Sequence, residues 1–324
     1  MMAARDVVSL YNGVPGAEEL RVNLDTETVA VVGLGNVALD VVRMLLTPVD
    51  ELRRTDVTEA WLEQLARSRV RRVVVVGRRG PLHVSFTIKE LRELVKLGGT
   101  RTVVRREELA GAREALASLA RPRKRLTELL LKAGEGPWDD ETVGRWAAAD
   151  REWQLRLYRS PVEVVGREQV EALVLAVNRP TVEGGVEDTG EREVLETGLV
   201  LRSIGYRSVA ADPVLPFDQA RGVVPNTAGR VEGAQGLYVA GWLATGPRGV
   251  IIDTMNTAFR VGAAVVEDLQ GMELGEVAGR VEVEGATDWA GWEAVDKEEV
   301  RRGEEKGRPR VKVTEVEEML RLAR

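Results

Sequence analysis

Residues 28–40 read Thr-Val-Ala-Val-Val-Gly-Leu-Gly-Asn-Val-Ala-Leu-Asp. The run Val29–Val32 is apolar and β-branched, which is typical of a buried parallel strand. Gly33, Gly35 and Ala38 follow at the spacing G-x-G-x-x-A, and the apolar residues beyond them recur with a helical period. In this motif the first glycine permits a tight turn, the second lets the backbone approach a pyrophosphate, and the small third residue lets the helix pack on the strand. The order of strand, turn and helix predicts a dinucleotide site, with an ordinary glycine-containing turn as the alternative.

The composition excludes several classes of function. The chain has 324 residues and a net charge of −6, a balance that is not typical of a nucleic-acid-binding protein. It has no Cys and a single His, His83, so disulfides, thiolate metal sites, redox dithiols and His-based metal sites or triads are excluded. No apolar run approaches the ~18 residues of a membrane span, and no targeting segment is visible at the N-terminus. Any redox chemistry would therefore depend on a bound cofactor.

A second apolar strand is predicted at Arg72–Gly77, after the G-x-G-x-x-A motif. It is followed directly by Arg78 and Arg79. Sites for NAD normally place an Asp or Glu here, where it accepts a hydrogen bond from the ribose 2′-hydroxyl. Guanidinium groups instead bind the 2′-phosphate of NADP through charge-assisted hydrogen bonds. The distance along the chain from Gly35 to Arg78 exceeds the usual ~20 residues because residues 47–69 form an additional segment between the two strands. The sequence thus favours NADP over NAD, with a solvated basic turn as the alternative.

Two later regions have a recognisable pattern. Residues 162–205 change to strand patterning, and the polar, Gly-rich stretch 183–190 separates the last two strands, as in a β-meander. Residues from Val250 to about Leu269 predict a long helix.

A basic cluster stands out in this acidic chain. It consists of Arg121, Arg123, Lys124 and Arg125. Such a run is usually a solvated helix face, but it also suits the steering and orientation of an acidic protein partner.

Nine short segments in order carry a family resemblance. They are Gly-Asn-Val-Ala-Leu-Asp (35–40), Leu-Thr-Pro (46–48), Gly-Arg-Arg-Gly-Pro-Leu (77–82), Phe-Thr-Ile-Lys-Glu-Leu-Arg-Glu (86–93), Arg-Pro-Arg-Lys-Arg-Leu (121–126), Ser-Ile-Gly-Tyr (203–206), Gly-Val-Val-Pro-Asn (222–226), Gly-Pro-Arg-Gly-Val-Ile (246–251) and Gly-Arg-Pro-Arg-Val-Lys (307–312). Along essentially the whole chain they resemble the adrenodoxin reductase family. Its members are flavoenzymes that pass electrons from NADPH through FAD to a [2Fe–2S] ferredoxin or adrenodoxin.

The resemblance implies an α/β fold with two parts. These are a Rossmann-like ββα three-layer NADP-binding domain at residues 28–206, and the C-terminal half of a split FAD-binding domain at 207–324, as in glutathione reductase-like two-dinucleotide proteins. Residues 1–27 are expected to be a polar lead-in linker. The resemblance also implies a monomer that feeds mitochondrial P450 or iron–sulfur pathways, in the mitochondrial matrix or in the cytoplasm of a bacterium.

The resemblance also implies site residues. The expected NADP contacts are Leu34, Gly35, Asn36, Val37, Arg78, Arg79, Glu90 and Gly249. The expected FAD contacts are Trp242, Gly249, Val250 and Ile251. The expected ferredoxin contacts are the basic cluster Arg121, Arg123, Lys124 and Arg125, with Arg121 and Arg125 at the docking positions. Taken alone, the sequence favours an ordinary exposed helix charge for Glu90, and for Trp242 it supports a packed core aromatic and a flavin contact about equally. No catalytic side chain and no metal site is identified.

An enzyme that uses both FAD and NADP needs two dinucleotide-binding units, yet only one G-x-G-x-x-A motif is found in this sequence. We therefore expect a chain that lacks the N-terminal FAD-binding part, with an uncovered apolar face at residues 237–270. Such a chain is expected to bind NADPH, to purify without flavin and not to reduce ferredoxin. The alternative to an active reductase is a truncated, non-catalytic module that binds NADP(H) and ferredoxin.

Overall fold

The computed structural model describes residues 1–136, 139–181, 184–247, 249, 251–270, 283 and 285–324. The chain forms two compact units, one made of Met1–Ile204 and Ala286–Arg324 and the other of Gly205–Gly285. The sequence grouped all residues after 206 together, whereas the last segment belongs to the first unit.

The helices are α1 (Ala4–Asn12), α2 (Asn36–Leu46), α3 (Val49–Leu52), α4 (Glu59–Ala66), α5 (Ile88–Val95), α6 (Ala112–Ala115), α7 (Arg121–Glu135), α8 (Asp140–Ala147), α9 (Trp242–Thr245), α10 (Ile251–Gln270), α11 (Trp289–Glu305) and α12 (Val316–Leu322). The strands are β1 (Met2–Ala3), β2 (Thr28–Val32), β3 (Arg72–Val76), β4 (Thr100–Val104), β5 (Arg151–Arg156), β6 (Arg159–Val165), β7 (Ala172–Pro180), β8 (Val186–Glu196), β9 (Leu199–Arg202), β10 (Asn226–Thr227) and β11 (Arg230–Val231). None of the helices in the described part of the chain is long and apolar enough to cross a bilayer.

The first unit is built on a parallel sheet with strand order β1-β9-β2-β3-β5-β4. Each neighbouring pair in it is parallel, and Val32 of β2 lies opposite Val76 of β3. The two strands predicted around the glycine turn are thus neighbours. Since the carboxyl ends of parallel strands meet at one edge, the loops that follow β2 and β3 emerge side by side.

The two faces of this sheet are covered differently. Side chains alternate along a strand, so Val29 and Val31 enter a large core with the helices while Ala30 faces the other way. Ala30 joins a second core that includes Leu173 and Leu175 of the antiparallel sheet β6-β7-β8. Helices, parallel sheet and antiparallel meander therefore form the expected ββα three-layer fold.

The N-terminal residues differ from the expected polar linker. Strand β1 pairs with β9, and α1 buries Val7, Leu10 and Tyr11 against the core. The Tyr11 hydroxyl donates a hydrogen bond to Asp40 of α2. The three buried residues have the i, i+3, i+4 spacing of a helix face, a signal that the polar composition of the region obscures.

The C-terminal segment is attached to the first unit by arginine and lysine side chains. Arg308, 7% exposed, donates from Nε to Thr55 O at 3.0 Å, donates to Val57 O and lies 3.1 Å from Glu59. Lys312 pairs with Asp56 at 3.1 Å. These contacts join positions about 250 residues apart, which local sequence patterns do not reveal.

Replacing Arg308 by Ala is expected to lower the free energy of unfolding by about 1–3 kcal/mol, because two carbonyl groups lose their donors. Urea denaturation of the purified chain measures this. The control is Arg5→Ala, whose side chain is 70% exposed and pairs only loosely with Asp6 at 3.6 Å. An effect of Arg308→Ala no larger than that of the control would contradict the anchoring role.

The second unit is small and has its own core. Val224, Val231 and Val239 form that core. Arg230 pairs with Asp268 at 2.7 Å, and the Tyr238 hydroxyl donates to the same carboxylate, so β11 is tied to α10. The hydrogen bond from Arg230 has the larger effect and that from Tyr238 adds to it, and together they lower the pKa of Asp268 to about 2. The apolar side chains of α10 are largely uncovered, and that of Ile251 is 88% exposed.

Candidate functional site

Gly33 makes the turn after β2 possible. Its N–H donates to Val76 O at 2.9 Å, and its φ of +134° lies in a region that L-residues rarely adopt. A Cβ at this position would overlap the Ser203 carbonyl, which follows β9. The turn therefore passes so close to the neighbouring chain that only glycine fits.

Gly35 has a different role. It precedes α2 in an extended conformation with φ −97°, and a Cβ added to it would meet no atom within 4 Å. The N–H groups of Ala38 and Leu39 donate to Gly35 O, so those of Asn36 and Val37 have no acceptor within the helix. Open space beside free N–H groups at a helix N-terminus is the arrangement that binds phosphate.

The loop after β3 packs on the glycine turn. The Leu34 carbonyl accepts from Ser85 N at 2.8 Å and Phe86 N at 2.9 Å, and Asn36 Oδ1 accepts from Thr87 N at 2.8 Å. The Leu34 side chain lies against Gly77, where a Cβ would overlap it. The two loops thus form one rigid edge of the site.

Glu90 lies in the first turn of α5. The Thr87 hydroxyl donates to its carboxylate, while Thr87 N donates to Asn36 Oδ1, so the Thr-x-x-Glu spacing does not form the backbone hydrogen bonds of a capping box. Glu90 therefore has a structural partner next to the Asn36 contact. Its predicted contact with NADP stays a prediction.

Arg78 and Arg79 present their side chains at the same edge. Asn178 Nδ2 donates to Arg78 O at 3.1 Å, and Tyr158 N donates to Arg79 O at 3.4 Å. Among the described residues, neither guanidinium has an ion pair or hydrogen bond, although arginines elsewhere in the first unit are extensively paired. Two uncommitted cations beside a phosphate-binding turn suit a phosphate ligand.

The pKa of His83 reflects its burial and the positive charge at this edge of the sheet. Burial lowers its pKa below the ordinary value, and the charges of Arg79 and Arg123 lower it further. Arg79 and Arg123 are therefore close enough to His83 for their charges to disfavour its protonated form. An anion bound there would weaken this effect.

A cavity of about 310 Å³ lies at the opposite edge of the sheet, near the amino ends of β3, β4 and β5. Its arginines already have partners: Arg71 pairs with Asp150, while Arg72 and Arg101 pair with Glu152. This cavity is not part of the candidate nucleotide site.

The basic cluster occupies the first turns of α7. Arg121, Lys124 and Arg125 are exposed, and the described part of the chain contains no carboxylate paired with them. Arg123 is half-buried and donates to Val84 O at 2.6 Å, so its guanidinium is partly engaged inside the protein. The first turn of α7 has no acidic residue.

The expected FAD contacts lie in the second unit. Trp242 begins α9, is 45% exposed, and its ring centroid lies 5.8 Å from that of Tyr206.

The other expected FAD contacts lie at the start of α10. Gly249 has φ +81° and precedes α10, where Ile251 is the first residue. Val250 lies outside the described residues. A Cβ on Gly241 would come 3.9 Å from Thr254, so the Trp242 turn and the first turns of α10 are near each other.

The structure therefore brings together most of the expected NADP contacts, at one edge of the first unit. Gly249 and the FAD contacts are in the second unit. Sequence reasoning missed Tyr158 and Asn178, which hold the backbone of Arg78 and Arg79. Neither lies in a motif, and both reach the loop only through tertiary structure.

No family model matches the chain. The mitochondrial NADPH:adrenodoxin oxidoreductase of Salvelinus fontinalis is 48% identical over 340 residues, which cover 99% of this chain and 68% of the relative. The human protein of the same name is 45% identical over 340 residues, with the same coverage.

The bacterial and structural comparisons agree. NADPH-ferredoxin reductase FprA of Mycobacterium tuberculosis is 37% identical over 339 residues, covering 99% of this chain and 73% of the relative. The solved structure of M. tuberculosis FprA in complex with NADPH superposes with a TM-score of 0.87 and 35% identity, over 99% of this chain and 73% of that one. Identity at this level over nearly the whole chain shows common family membership. The chain belongs to the adrenodoxin reductase family of NADPH:adrenodoxin and NADPH:ferredoxin oxidoreductases.

Proposed function

We propose that this protein takes electrons from NADPH and delivers them, through FAD, to a small [2Fe–2S] ferredoxin. The main support is the pair of uncommitted arginines, Arg78 and Arg79, beside the open glycine turn in a chain of this family. Relatives with this activity are both mitochondrial and bacterial, so the proposal holds for either compartment.

The residues of the first unit fit the nucleotide. The space at Gly35 and the N–H groups of Asn36 and Val37 would accept the pyrophosphate. Arg78 and Arg79 would hold the 2′-phosphate, which NAD lacks. The helix dipole and the two guanidinium groups thus attract the two anionic groups of one dinucleotide, the pyrophosphate and the 2′-phosphate.

The second unit would supply part of the flavin environment. FAD, when bound, accepts hydride from the nicotinamide and passes electrons on singly. Trp242 offers an aromatic surface, Gly249 adopts the positive φ of +81° that a tight turn before α10 requires, and the start of α10 at Ile251 offers a positive helix end.

The partner would bind at the basic cluster. Cations at a helix N-terminus are disfavoured by the macrodipole, and each costs roughly 0.3–1 kcal/mol. Arg121 and Lys124 lie in the first turn of α7 and Arg125 lies directly beyond it, and none of the three has a carboxylate partner among the described residues. An acidic ferredoxin that docks there would supply the missing negative charge and the steering field.

Replacing Arg78 or Arg79 by Ala is expected to weaken NADPH binding by about 1–3 kcal/mol, because a charge-assisted hydrogen bond to the 2′-phosphate is lost. NADH binding should barely change. Titration of each variant with both nucleotides measures the difference. Equal losses for NADPH and NADH would show that the arginines do not recognise the 2′-phosphate.

The alternative, a non-catalytic module that binds NADP(H) and ferredoxin, draws support from the exposure of Ile251 at the flavin side of α10. The visible absorbance spectrum of the purified chain separates the two. One FAD per chain, together with NADPH-dependent ferricyanide reduction, supports the enzyme. A chain that binds NADPH and carries no flavin supports the module.

A further inference from the structure

Two residues hold the backbone of Arg78–Gly80, and a third fixes the neighbour of one of them. They are Tyr158, which has a positive φ, Asn178, which lies at a register shift between β7 and β8, and Glu108, a buried carboxylate that binds Leu157 N. Irregular backbone of this kind tends to persist where function requires it.

Tyr158 lies between β5 and β6 and adopts φ +54°, which is uncommon for a bulky residue. Its N–H donates to Arg79 O at 3.4 Å, and its carbonyl accepts from Asn178 N at 2.8 Å. The phenol ring lies against Gly80, where a Cβ would overlap the Oη and Cζ atoms. The strained residue thus packs directly on the loop that carries the two arginines.

Asn178 holds the same loop from β7. The pairing of β7 with β8 shifts register between Ala176 and Asn178, so the regular ladder is interrupted where Asn178 lies. The amide of Asn178, which is nearly buried, donates from Nδ2 to both Arg78 O at 3.1 Å and Ser160 Oγ at 2.8 Å.

Glu108 fixes the residue before Tyr158. Its carboxylate accepts from Leu157 N at 2.7 Å in a buried position. Burial raises the pKa of Glu108, while the Leu157 hydrogen bond and the charges of Arg159 and Arg156 lower it. The conformation of Tyr158 is therefore determined from both sides.

We propose that Tyr158 and Asn178 are positioning residues for the 2′-phosphate site. They fix the backbone of Arg78–Gly80, and through it the two guanidinium groups, without touching the nucleotide. This inference rests on the NADP site proposed above.

The test is titration of the 324-residue chain with NADPH and with NADH. Tyr158→Ala and Asn178→Ala are each expected to raise the Kd for NADPH about 10-fold, the effect of one displaced charge-assisted contact, and to leave that for NADH unchanged. Tyr158→Phe keeps the ring and should bind as the wild type does. Thr102→Val is the structural control. It removes the buried hydrogen bond from Trp153 Nε1 to the Thr102 hydroxyl (3.0 Å), which joins β5 and β4 of the parallel sheet. It should lower thermal stability without changing the ratio of the two affinities.

A double-mutant cycle tests the contact itself. Gly80 has an ordinary φ of −84°, and the three atoms nearest to an added Cβ all belong to Tyr158. Gly80→Ala should therefore weaken NADPH binding in the wild type and add nothing in the Tyr158→Ala background. Additive effects would overturn the proposal.

The remaining outcomes are equally distinct. An unchanged affinity ratio in Tyr158→Ala and Asn178→Ala, while Arg78→Ala and Arg79→Ala lose NADPH, overturns the positioning role alone. A loss in Tyr158→Phe as large as in Tyr158→Ala assigns the hydroxyl to the ligand and also overturns it. If the arginine variants keep their preference for NADPH, the proposed NADP site itself is wrong.

Discussion

Gly33→Ala is expected to destabilise the protein by more than about 3 kcal/mol, a large part of the ~5–15 kcal/mol that holds a domain folded. Two penalties combine. The φ of +134° is a conformation essentially restricted to glycine, and the added Cβ would overlap the backbone carbonyl of Ser203. Neither can be relieved by rotating a side chain. Chemical denaturation and soluble yield measure the effect.

Gly35→Ala is the matched variant, two residues away. It has an ordinary φ of −97°, and a Cβ there meets no atom within 4 Å. The free energy of unfolding should therefore change by less than about 0.5 kcal/mol, as for a surface substitution. The methyl group would, however, occupy the space where the pyrophosphate approaches, so NADPH binding should be lost. A Gly33→Ala chain as stable as the wild type, or a Gly35→Ala chain with normal NADPH affinity, would contradict these roles.

Reversing the charge of Arg121 and Arg125 to Glu is expected to lower ferredoxin binding by about 100-fold or more, since interfacial charge pairs become repulsive at a cost of several kcal/mol. The same change should stabilise the isolated chain by roughly 0.3–1 kcal/mol, because an acidic group at position 121 suits the N-terminus of α7, whereas position 125 lies beyond the first turn. Binding and stability thus move in opposite directions. A solvated helix face without a partner would show only the gain in stability.

The control is Arg53→Glu with Arg54→Glu, which changes the net charge equally at another exposed site. It should leave ferredoxin binding nearly intact. Binding of the wild type should weaken as salt rises, because exposed charges are screened within about 10 Å at 0.1 M salt. Ferredoxin affinity measured by titration at several salt concentrations decides the matter. Equal losses in the two double variants would show a net-charge effect rather than a docking site.

The local parts of this fold could be predicted from the sequence. Strand β2, the glycine turn and α2 are contiguous, so their apolar periods and glycine spacing suffice to place them. The adjacency of β2 and β3 followed from the same pattern. Family resemblance then supplied the wider architecture, including the three layers of the first unit.

What could not be predicted depends on contacts between distant residues. Strand β1 is two residues long and is fixed by pairing of Met2 with Leu201. Arg308 reaches Thr55, and Tyr158 reaches Gly80, through packing that leaves no periodic trace. The sequence could therefore propose the groups that would touch the ligand, but not those that hold these groups in place.

The return of residues 286–324 to the first unit has a consequence for biosynthesis. The ribosome must translate Gly205–Gly285 before it makes the segment that contains Arg308. At ~5–20 residues per second, those roughly 80 residues take about 4–16 s. Throughout that interval the nascent first unit lacks α11, α12 and the arginine anchor, and the carbonyl groups of Thr55 and Val57 lack the donor that Arg308 later provides.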